Sequence, residues 1–429
     1  MLVVLVLLVG LLLYRATRGV AEASALPPGA ATMKHARSAP IRLAQAAGPL
    51  PAGQPPGLPA SQPDSALEGR PLSARAQRMR ADWCGYGAAE HERETDAFLA
   101  KHEQITAERL AEMAQLDGAR VLQQAASAVQ RRWIQQLSAR RDERSRAVAE
   151  WLESVYGDDA AARSRLQALA RTSTDPMVTA LAVLRPCELG RCANVDRAQW
   201  SRLEPQNLYA WLAALPTKEA RADELRYVHG RWMAEARYAH SYVQEFTDIL
   251  EKLLGPANGG LTEEVELGVL SGGAGTLMLP SFLGITRPCS TSGSYVLPAS
   301  ACTAAAELLW REGDVLERSI AMRLSERASQ GDALLRERWA VRQTALDAAK
   351  QFQSESLDAL SKQFDRLRAT SHCAVLPMWR EAILSNRPGR EWDSLQAGIK
   401  TRDANQDELA RRWRARQAVD RPASATKPP

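Results

Sequence analysis

Apolar residues recur at steps of three and four along most of the chain, which is the spacing that buries one face of a helix. The clearest such seam covers about residues 217 to 254 and stops at Gly255-Pro256. Its positions are Leu225, Val228, Trp232, Ala236, Ala239, Val243, Phe246, Leu250 and Leu253. The pattern predicts a single unbroken helix over this stretch.

Three other regions repeat this spacing: about 90–156 with an interruption at Asp117-Gly118, about 301–330, and about 332–369. Helix formers such as Ala, Leu, Arg, Glu and Gln are abundant, whereas β-branched residues and Phe are scarce. Intermolecular coiled coils are one interpretation of the seams, but their richness in Ala and Trp favours the buried faces of a bundle. We expect an all-α fold, built as a helical bundle or as stacked helical hairpins.

The weakest helical pattern lies in residues 255–300, which are rich in Gly, Pro and Ser, and a short strand or buried turn is expected at 277–285. The patterns divide the chain into six segments. These are a membrane anchor or signal segment (1–20), a Pro-rich disordered linker (21–80), a long helical hairpin (85–156), a repeat-like helical region (157–255), a loop with a disulfide-braced helical region (256–400), and a basic helix end with a disordered tail (401–429).

Residues 1–14 are almost all Leu and Val, and Arg15 and Arg18 follow them. A helix of that length spans about 21 Å, short of the roughly 30 Å of hydrocarbon in a bilayer, unless it continues to residue 20 with both arginines turned outward. A cleaved signal segment is the alternative. Small-residue cleavage sites are present near residues 21–25, but they lie far from the apolar run, which disfavours processing. We expect an uncleaved anchor.

Arg15 and Arg18 follow the apolar run instead of preceding it, and the positive-inside rule would then keep the body in the cytoplasm. We hypothesise that the true translation start lies upstream and adds basic residues, which places the body in the periplasm. A cytoplasm-facing adaptor with reduced thiols is the alternative.

Residues 26–80 contain ten prolines, from Pro27 to Pro71, among Ala, Gly, Gln and Ser. Such a composition buries too little apolar surface to offset its chain entropy, and proline keeps it extended. The segment is expected to be a spacer that holds a folded body away from a bilayer, with an incidental low-complexity segment as the alternative.

The net charge of +5 is unevenly placed along the chain. Residues 1–80 carry a net +6 and residues 401–429 a net +3, which leaves −4 on residues 81–400. A nucleic-acid-binding domain presents a basic face. Because the basic excess lies in the two arms, we expect no nucleic-acid partner.

Six cysteines allow fifteen pairings. They are Cys84, Cys187, Cys192, Cys289, Cys302 and Cys373. Cys187 and Cys192 bracket a short turn-rich segment, and Cys289 and Cys302 bracket a Ser/Gly/Pro-rich loop. Cys84 and Cys373 lie near the two ends of the body and could join those ends. Zinc or redox spacing is lacking, so we expect structural disulfides and an oxidising compartment.

Residues 200–212, WSRLEPQNLYAWL, resemble the junction between tetratricopeptide-type repeats, where one helix ends at a Pro-x-Asn turn and the next begins with a Trp/Leu pair. The resemblance covers about residues 170–240, and the next proline that the period requires, near 239, is absent. It implies helix pairs whose concave face holds a peptide or protein segment; an ordinary helical hairpin is the alternative. The expected partner groove comprises Trp200, Asn207, Trp211, Trp232, Tyr238 and Tyr242.

No residue pattern indicates a catalytic, metal or cofactor site. His229 and His240 are eleven residues apart, which is not the spacing of a metal site on a helix. The Gly-rich run 271–275 lacks the Lys-Ser/Thr ending of a phosphate loop. A thiolate pair at His372-Cys373 would be consumed by a disulfide.

These features together predict a membrane-tethered periplasmic scaffold or interaction protein that needs no cofactor. Its expected partners are the inner membrane, through the N-terminal helix, and another envelope protein or peptide. The alternative is an envelope hydrolase whose site combines the 255–300 loop with His229 or His240.

Overall fold

The structure is a computed structural model that describes residues 71–102, 106–157, 159–187, 192–215, 222–276, 282–290, 296–385 and 391–420. The regular secondary structure of these residues is helical, so the chain is all-α as predicted. The expected anchor at 1–20, the linker up to residue 70 and the tail from residue 421 lie outside the described residues. None of the described helices is both long enough and apolar enough to cross a bilayer.

The helices of the first half of the chain are α1 (Ala74–Ala81), α2 (Ala88–Ala100), α3 (Ala107–Met113), α4 (Asp117–Ser138), α5 (Glu143–Tyr156), α6 (Ala160–Thr172), α7 (Pro176–Leu184), α8 (Ala198–Leu203) and α9 (Leu208–Ala214). Those of the second half are α10 (Ala222–Glu235), α11 (Val243–Glu251), α12 (Leu261–Thr276), α13 (Leu283–Thr286), α14 (Ala299–Glu312), α15 (Val315–Ala328), α16 (Ala333–Arg368), α17 (Leu376–Ser385), α18 (Glu391–Thr401) and α19 (Gln406–Asp420). A π-helical turn, Trp83–Gly87, and a 3₁₀ turn, His372–Val375, complete the described helical structure.

Short polar side chains define where several helices begin. Asp142, Asp159 and Asp175 precede α5, α6 and α7, and each carboxylate accepts a hydrogen bond from a free backbone N–H of the first turn. Asn207 caps α9 in the same way, through the N–H of Tyr209. Such caps satisfy donors that have no partner inside the helix, each with about 1 kcal/mol of stabilisation.

The described residues form two compact units. The first unit comprises residues 71–131, 254–275 and 368–377, and the second comprises 132–253, 276–367 and 378–420, apart from the gaps given above. The first unit buries, among others, Met79, Trp83, Val121, Leu267 and Leu270. The second buries Trp133, Trp151, Leu166, Trp200 and Phe246, and its C-terminal part has a core of Val315, Leu346, Phe352, Leu395 and Leu409.

The six cysteines lie in three pairs at disulfide distance. Cys84 and Cys373 join distant parts of the first unit, with their Cα atoms 5.1 Å apart. The other two bridges are local and belong to the second unit: Cys187–Cys192, at 5.9 Å between Cα atoms, and Cys289–Cys302, at 5.7 Å. The pairs are those that the spacing along the sequence favoured, and every cysteine of the chain takes part.

The helix predicted over residues 217–254 is wrong in its middle. The chain leaves the helix after Glu235, and α11 begins only at Val243. Between them, the N–H groups of Arg237 and Tyr238 donate to the carbonyl of Gln206, and Tyr238 accepts from Leu208. These bonds replace the helical ones. Of the seam residues at the break, Ala236 is buried, whereas Ala239 and Val243 are partly exposed.

Other predicted boundaries also shift. The hairpin expected at 85–156 is four helices, α2 to α5, because Asp142 caps a new helix inside the apolar seam. The helix expected at 301–330 divides at Gly313 into α14 and α15. The disordered linker was expected to reach residue 80, but Ser73 caps α1 through the N–H of Ala76, so the helix begins at Ala74.

The loop expected at 255–300 contains α12, a helix of 16 residues that includes the Gly-rich run 271–275. Glu263, in the first turn of α12, holds the residues that precede the helix. Its carboxylate accepts hydrogen bonds from the N–H groups of Asn258 and Gly259, at 2.9 and 2.7 Å. The strand or turn expected at 277–285 is a short helix, α13, from Leu283, whereas residues 277–281 lie outside the described residues. The long helix expected at 332–369 is confirmed as α16.

Candidate binding site

Most of the expected groove residues lie inside the second unit instead of lining an open surface. Trp200 and Asn207 are fully buried, and Trp211, Trp232 and Tyr242 are at most 6% exposed. Tyr238 alone of the six is partly exposed. Four of the six, Trp200, Asn207, Tyr238 and Tyr242, meet at the end of α8.

The side chains that meet there hold the carboxylate of Glu204. Its Oε2 atom accepts hydrogen bonds from the indole N–H of Trp200 at 2.8 Å and from the amide of Asn207 at 2.9 Å. Its Oε1 atom accepts from the phenol groups of Tyr238 at 2.9 Å and Tyr242 at 3.0 Å. A partly exposed carboxylate thus has four donors, two on each oxygen.

Asn207 fixes the backbone on the other side of this site. Its amide donates to the carbonyl of His240 at 2.8 Å, and its side-chain oxygen accepts from the N–H of His240 at 3.0 Å. Asn207 and Tyr238 also form an isolated parallel β-bridge. The segment between α10 and α11 is thereby tied to the α8–α9 turn, which positions Tyr238 and Tyr242 over Glu204.

Tyr242 has an unusual backbone conformation, with a φ of 61° in the left-handed region. A bulky residue there costs free energy and persists only where its surroundings hold it. Here the phenol group is bound to Glu204, and the ring lies 6.2 Å from the ring of Trp200 and 4.6 Å from that of His240, centroid to centroid. The strained residue lies at the centre of the site.

Two acid–base pairs border this network. Nε2 of His240 lies 2.7 Å from a carboxylate oxygen of Glu245, and Nε of Arg144 lies 2.6 Å from the carboxylate of Asp175. The His240 and Glu245 side chains remain 39% and 31% exposed, so the first of these pairs lies at the surface.

The electrostatics follow from these contacts. Burial, together with the Glu204 charge, raises the pKa of Tyr238 to about 12 and that of Tyr242 still further, so both phenols stay protonated and donate. The hydrogen bond to Glu245 raises the pKa of His240. Burial is the largest single influence on Glu245 and raises the pKa of its carboxyl, but the hydrogen bond to His240, a backbone hydrogen bond and the charges of His240 and Arg144 together outweigh burial and lower that pKa.

The two histidines of the hydrolase alternative, His229 and His240, lie in surroundings that differ from each other. His229 is 1% exposed, its Nε2 lies 3.2 Å from the carbonyl oxygen of Gly284, and burial lowers its pKa. His240 instead belongs to the Glu204 site. The run 271–275 is helical, although the residues after it, 277–281, lie outside the described part of the chain.

A second carboxylate cluster, which the sequence did not reveal, lies in the first unit. Glu264 is 4% exposed and accepts from the indole N–H of Trp83 at 2.6 Å. Nε2 of His372 lies 3.0 Å from the same carboxylate oxygen, and the disulfide Cys84–Cys373 joins the residues next to Trp83 and His372. His91 lies beside Trp83, with ring centroids 6.1 Å apart. This cluster ties α12 to the ends of the first unit.

Glu204 and Glu264 were both missed as candidates from the sequence. Glu204 lies four residues after Trp200, within the segment that resembles a repeat junction, so its contact with that indole could have been found from helical spacing. The contact of Glu264 joins residues 181 positions apart and has no local signal. Within the described residues, no group of three or more His, Cys, Asp or Glu side chains is arranged to hold a metal ion.

Comparison with known proteins adds no family. No protein-family model matches the chain, and no curated protein or solved structure gives a significant match.

Proposed function

We propose that the chain is a membrane-tethered periplasmic scaffold that binds another exported protein or peptide through the surface around Glu204. The N-terminal apolar segment is its anchor and the Pro-rich segment is its spacer. Three disulfides that use all six cysteines support a position in an oxidising compartment. The tetratricopeptide-like character belongs to this proposal too, and the α8–α9 turn capped by Asn207 supports it.

The observation that carries the binding role is the rigid presentation of partly exposed rings. Tyr238 and His240 lie on a segment with no helical structure, yet Asn207 and Glu204 fix its backbone and its side chains. Binding surfaces gain affinity when aromatic side chains are held in advance, because little conformational entropy is then lost on association. A purely structural segment would not need these rings at the surface.

The proposal is tested by photo-crosslinking in intact cells, with a photoreactive phenylalanine analogue in place of Tyr238. The control carries the analogue at Tyr227, which is 68% exposed on α10 of the same unit. We expect one exported protein to be crosslinked from position 238 and none from position 227. The crosslink from position 238 should be lost when His240→Ala is added. Equal crosslinking from both positions, or none from 238, contradicts the proposal.

The same cells separate binding from hydrolysis. The readout is the ability of each variant to restore the phenotype of cells that lack the protein. If the double variant His229→Gln with His240→Gln fails to restore it but still crosslinks, the result supports an enzyme and contradicts the scaffold role. Loss of crosslinking together with the phenotype supports a binding role.

A further inference from the structure

Within the described residues, Glu204 is the one carboxylate of the site that forms no ion pair with a basic side chain. Asp175 is paired with Arg144, and Glu245 is paired with His240. All four groups that donate to Glu204 are neutral: an indole, an amide and two phenols. Such donors stabilise an anion but leave its full negative charge in place.

Aromatic rings surround this uncompensated charge. The rings of Trp200 and Tyr242 and those of Tyr242 and His240 are in contact, and Tyr238 donates to the same carboxylate oxygen as Tyr242. Glu204, Tyr238 and His240 are all partly exposed residues, so this site borders solvent, and Tyr238 contributes a neutral ring to it. An aromatic surface with a carboxylate attracts cations, because the ring faces and the carboxylate are both negative.

We propose that the Glu204 site receives a lysine or arginine side chain from an extended segment of the partner protein. The cationic group then lies against the carboxylate of Glu204 and the partly exposed ring of Tyr238. This inference rests on the proposed binding function and specifies the chemistry of its partner.

Charge complementarity selects this occupant over the alternatives. The three carboxylates Asp175, Glu204 and Glu245 face two basic groups, the guanidinium of Arg144, which is bound to Asp175, and the imidazole of His240, which is bound to Glu245. An acidic segment would meet net repulsion here, and an apolar one would cover a carboxylate without replacing its water. A basic side chain supplies the charge that the site lacks.

The experiment uses the oxidised full-length protein with ¹³C-labelled histidine, since the chain has only six histidines and His240 reports on the site. The probes are three blocked nonapeptides of Ala and Ser that differ only at the central residue, which is Lys, norleucine or Glu. We expect the Lys peptide to shift the His240 resonance and to bind at least about tenfold more tightly than the norleucine peptide, a difference of about 1.4 kcal/mol.

The matched variants are Glu204→Gln and Glu150→Gln. Glu150 is a partly buried carboxylate of the same unit, but its charge is compensated by Arg165 at 2.9 Å. Glu204→Gln is expected to abolish the preference for Lys over norleucine, whereas Glu150→Gln keeps it. If Glu204→Gln does not fold, the comparison of Lys with norleucine on the unaltered protein still decides the question.

The outcomes separate this inference from the function on which it rests. Equal shifts of His240 by the Lys and norleucine peptides leave a binding surface but overturn its preference for cations. A preference for the Glu peptide, or no shift with any peptide, also overturns the inference. Failure of the crosslinking experiment at Tyr238 is a separate result, and it removes the proposed function itself.

Discussion

Glu264 in the first unit and Glu204 in the second are both carboxylates that accept a tryptophan N–H, yet their surroundings differ. Glu264 is buried and lies 3.0 Å from a histidine nitrogen. Glu204 is partly exposed, and its four hydrogen-bond donors in the described part of the chain are neutral groups. The comparison teaches that a buried acid with a basic partner braces a fold, whereas an exposed acid without one remains available to an external cation.

The largest expected effect concerns the disulfides of the two units. The chain-entropy model assigns about 5 kcal/mol to the bridge Cys84–Cys373, which closes a very long loop, and about 2 kcal/mol to Cys187–Cys192. Replacing both cysteines of each pair by Ser should therefore lower the free energy of unfolding far more for the first pair. Urea unfolding of the two double variants measures this, and equal losses would contradict the bracing role of the first unit's bridge.

The next effect compares the two carboxylates directly. Glu264→Gln removes a buried carboxylate from the partly buried imidazole of His372, and should lower the free energy of unfolding by about 3 kcal/mol. Glu204→Gln weakens hydrogen bonds at a partly exposed site and should cost about 1 kcal/mol. Thermal and urea unfolding of both variants provide the test. A larger loss for Glu204→Gln would reverse the assignment of structural and binding roles.

A smaller effect is expected from single hydroxyl groups at the Glu204 site. Tyr238→Phe removes one hydrogen bond to the carboxylate but keeps the ring, so we expect a loss of at most about 1 kcal/mol in stability. Tyr242→Phe removes a buried donor and should cost more. Calorimetry of the two variants ranks them, and the opposite order would show that the left-handed Tyr242 does not depend on its hydroxyl.

The smallest effect is an opposite response of the two units to pH. Burial lowers the pKa of His91 in the first unit, so the stability that its neutral form contributes is present above pH 6.5 and is lost as the pH falls. Burial raises the pKa of Glu317 in the second unit, so stability is present below pH 4.5 and is lost as the pH rises through the raised value.

Amide hydrogen exchange at pH 5 and pH 7, corrected for intrinsic rates, reads the two units separately. The first unit should open more readily at pH 5 and the second at pH 7. His91→Gln should reduce the response of the first unit, and Glu317→Gln that of the second. A parallel response of both units would show that other groups dominate.

The sequence predicted what depends on local pattern. The all-α class and the helix at 333–368 follow from apolar spacing and from the abundance of helix formers. The two short-range cysteine pairs follow from their spacing along the chain. The long-range pair, Cys84 and Cys373, was expected because these two cysteines remained once the local pairs were assigned.

What the sequence could not predict depends on contacts between distant residues. The break before α11 is made by Gln206 and Asn207, which lie outside the apolar seam they interrupt. Trp200 and Tyr242 were expected to line a groove, but both residues are buried, and they contact the site through hydrogen bonds to Glu204. Periodicity reports that a face is buried, and it does not report what lies against it.

The proposed function depends most on disulfide bridges that brace the folded body outside the cytosol. Alkylation of the protein inside intact cells, followed by peptide mass mapping without reductant, tests this directly. We predict no alkylated cysteine and three linked peptide pairs, Cys84–Cys373, Cys187–Cys192 and Cys289–Cys302. Six alkylated cysteines in the native protein would contradict both the bridges and the periplasmic location.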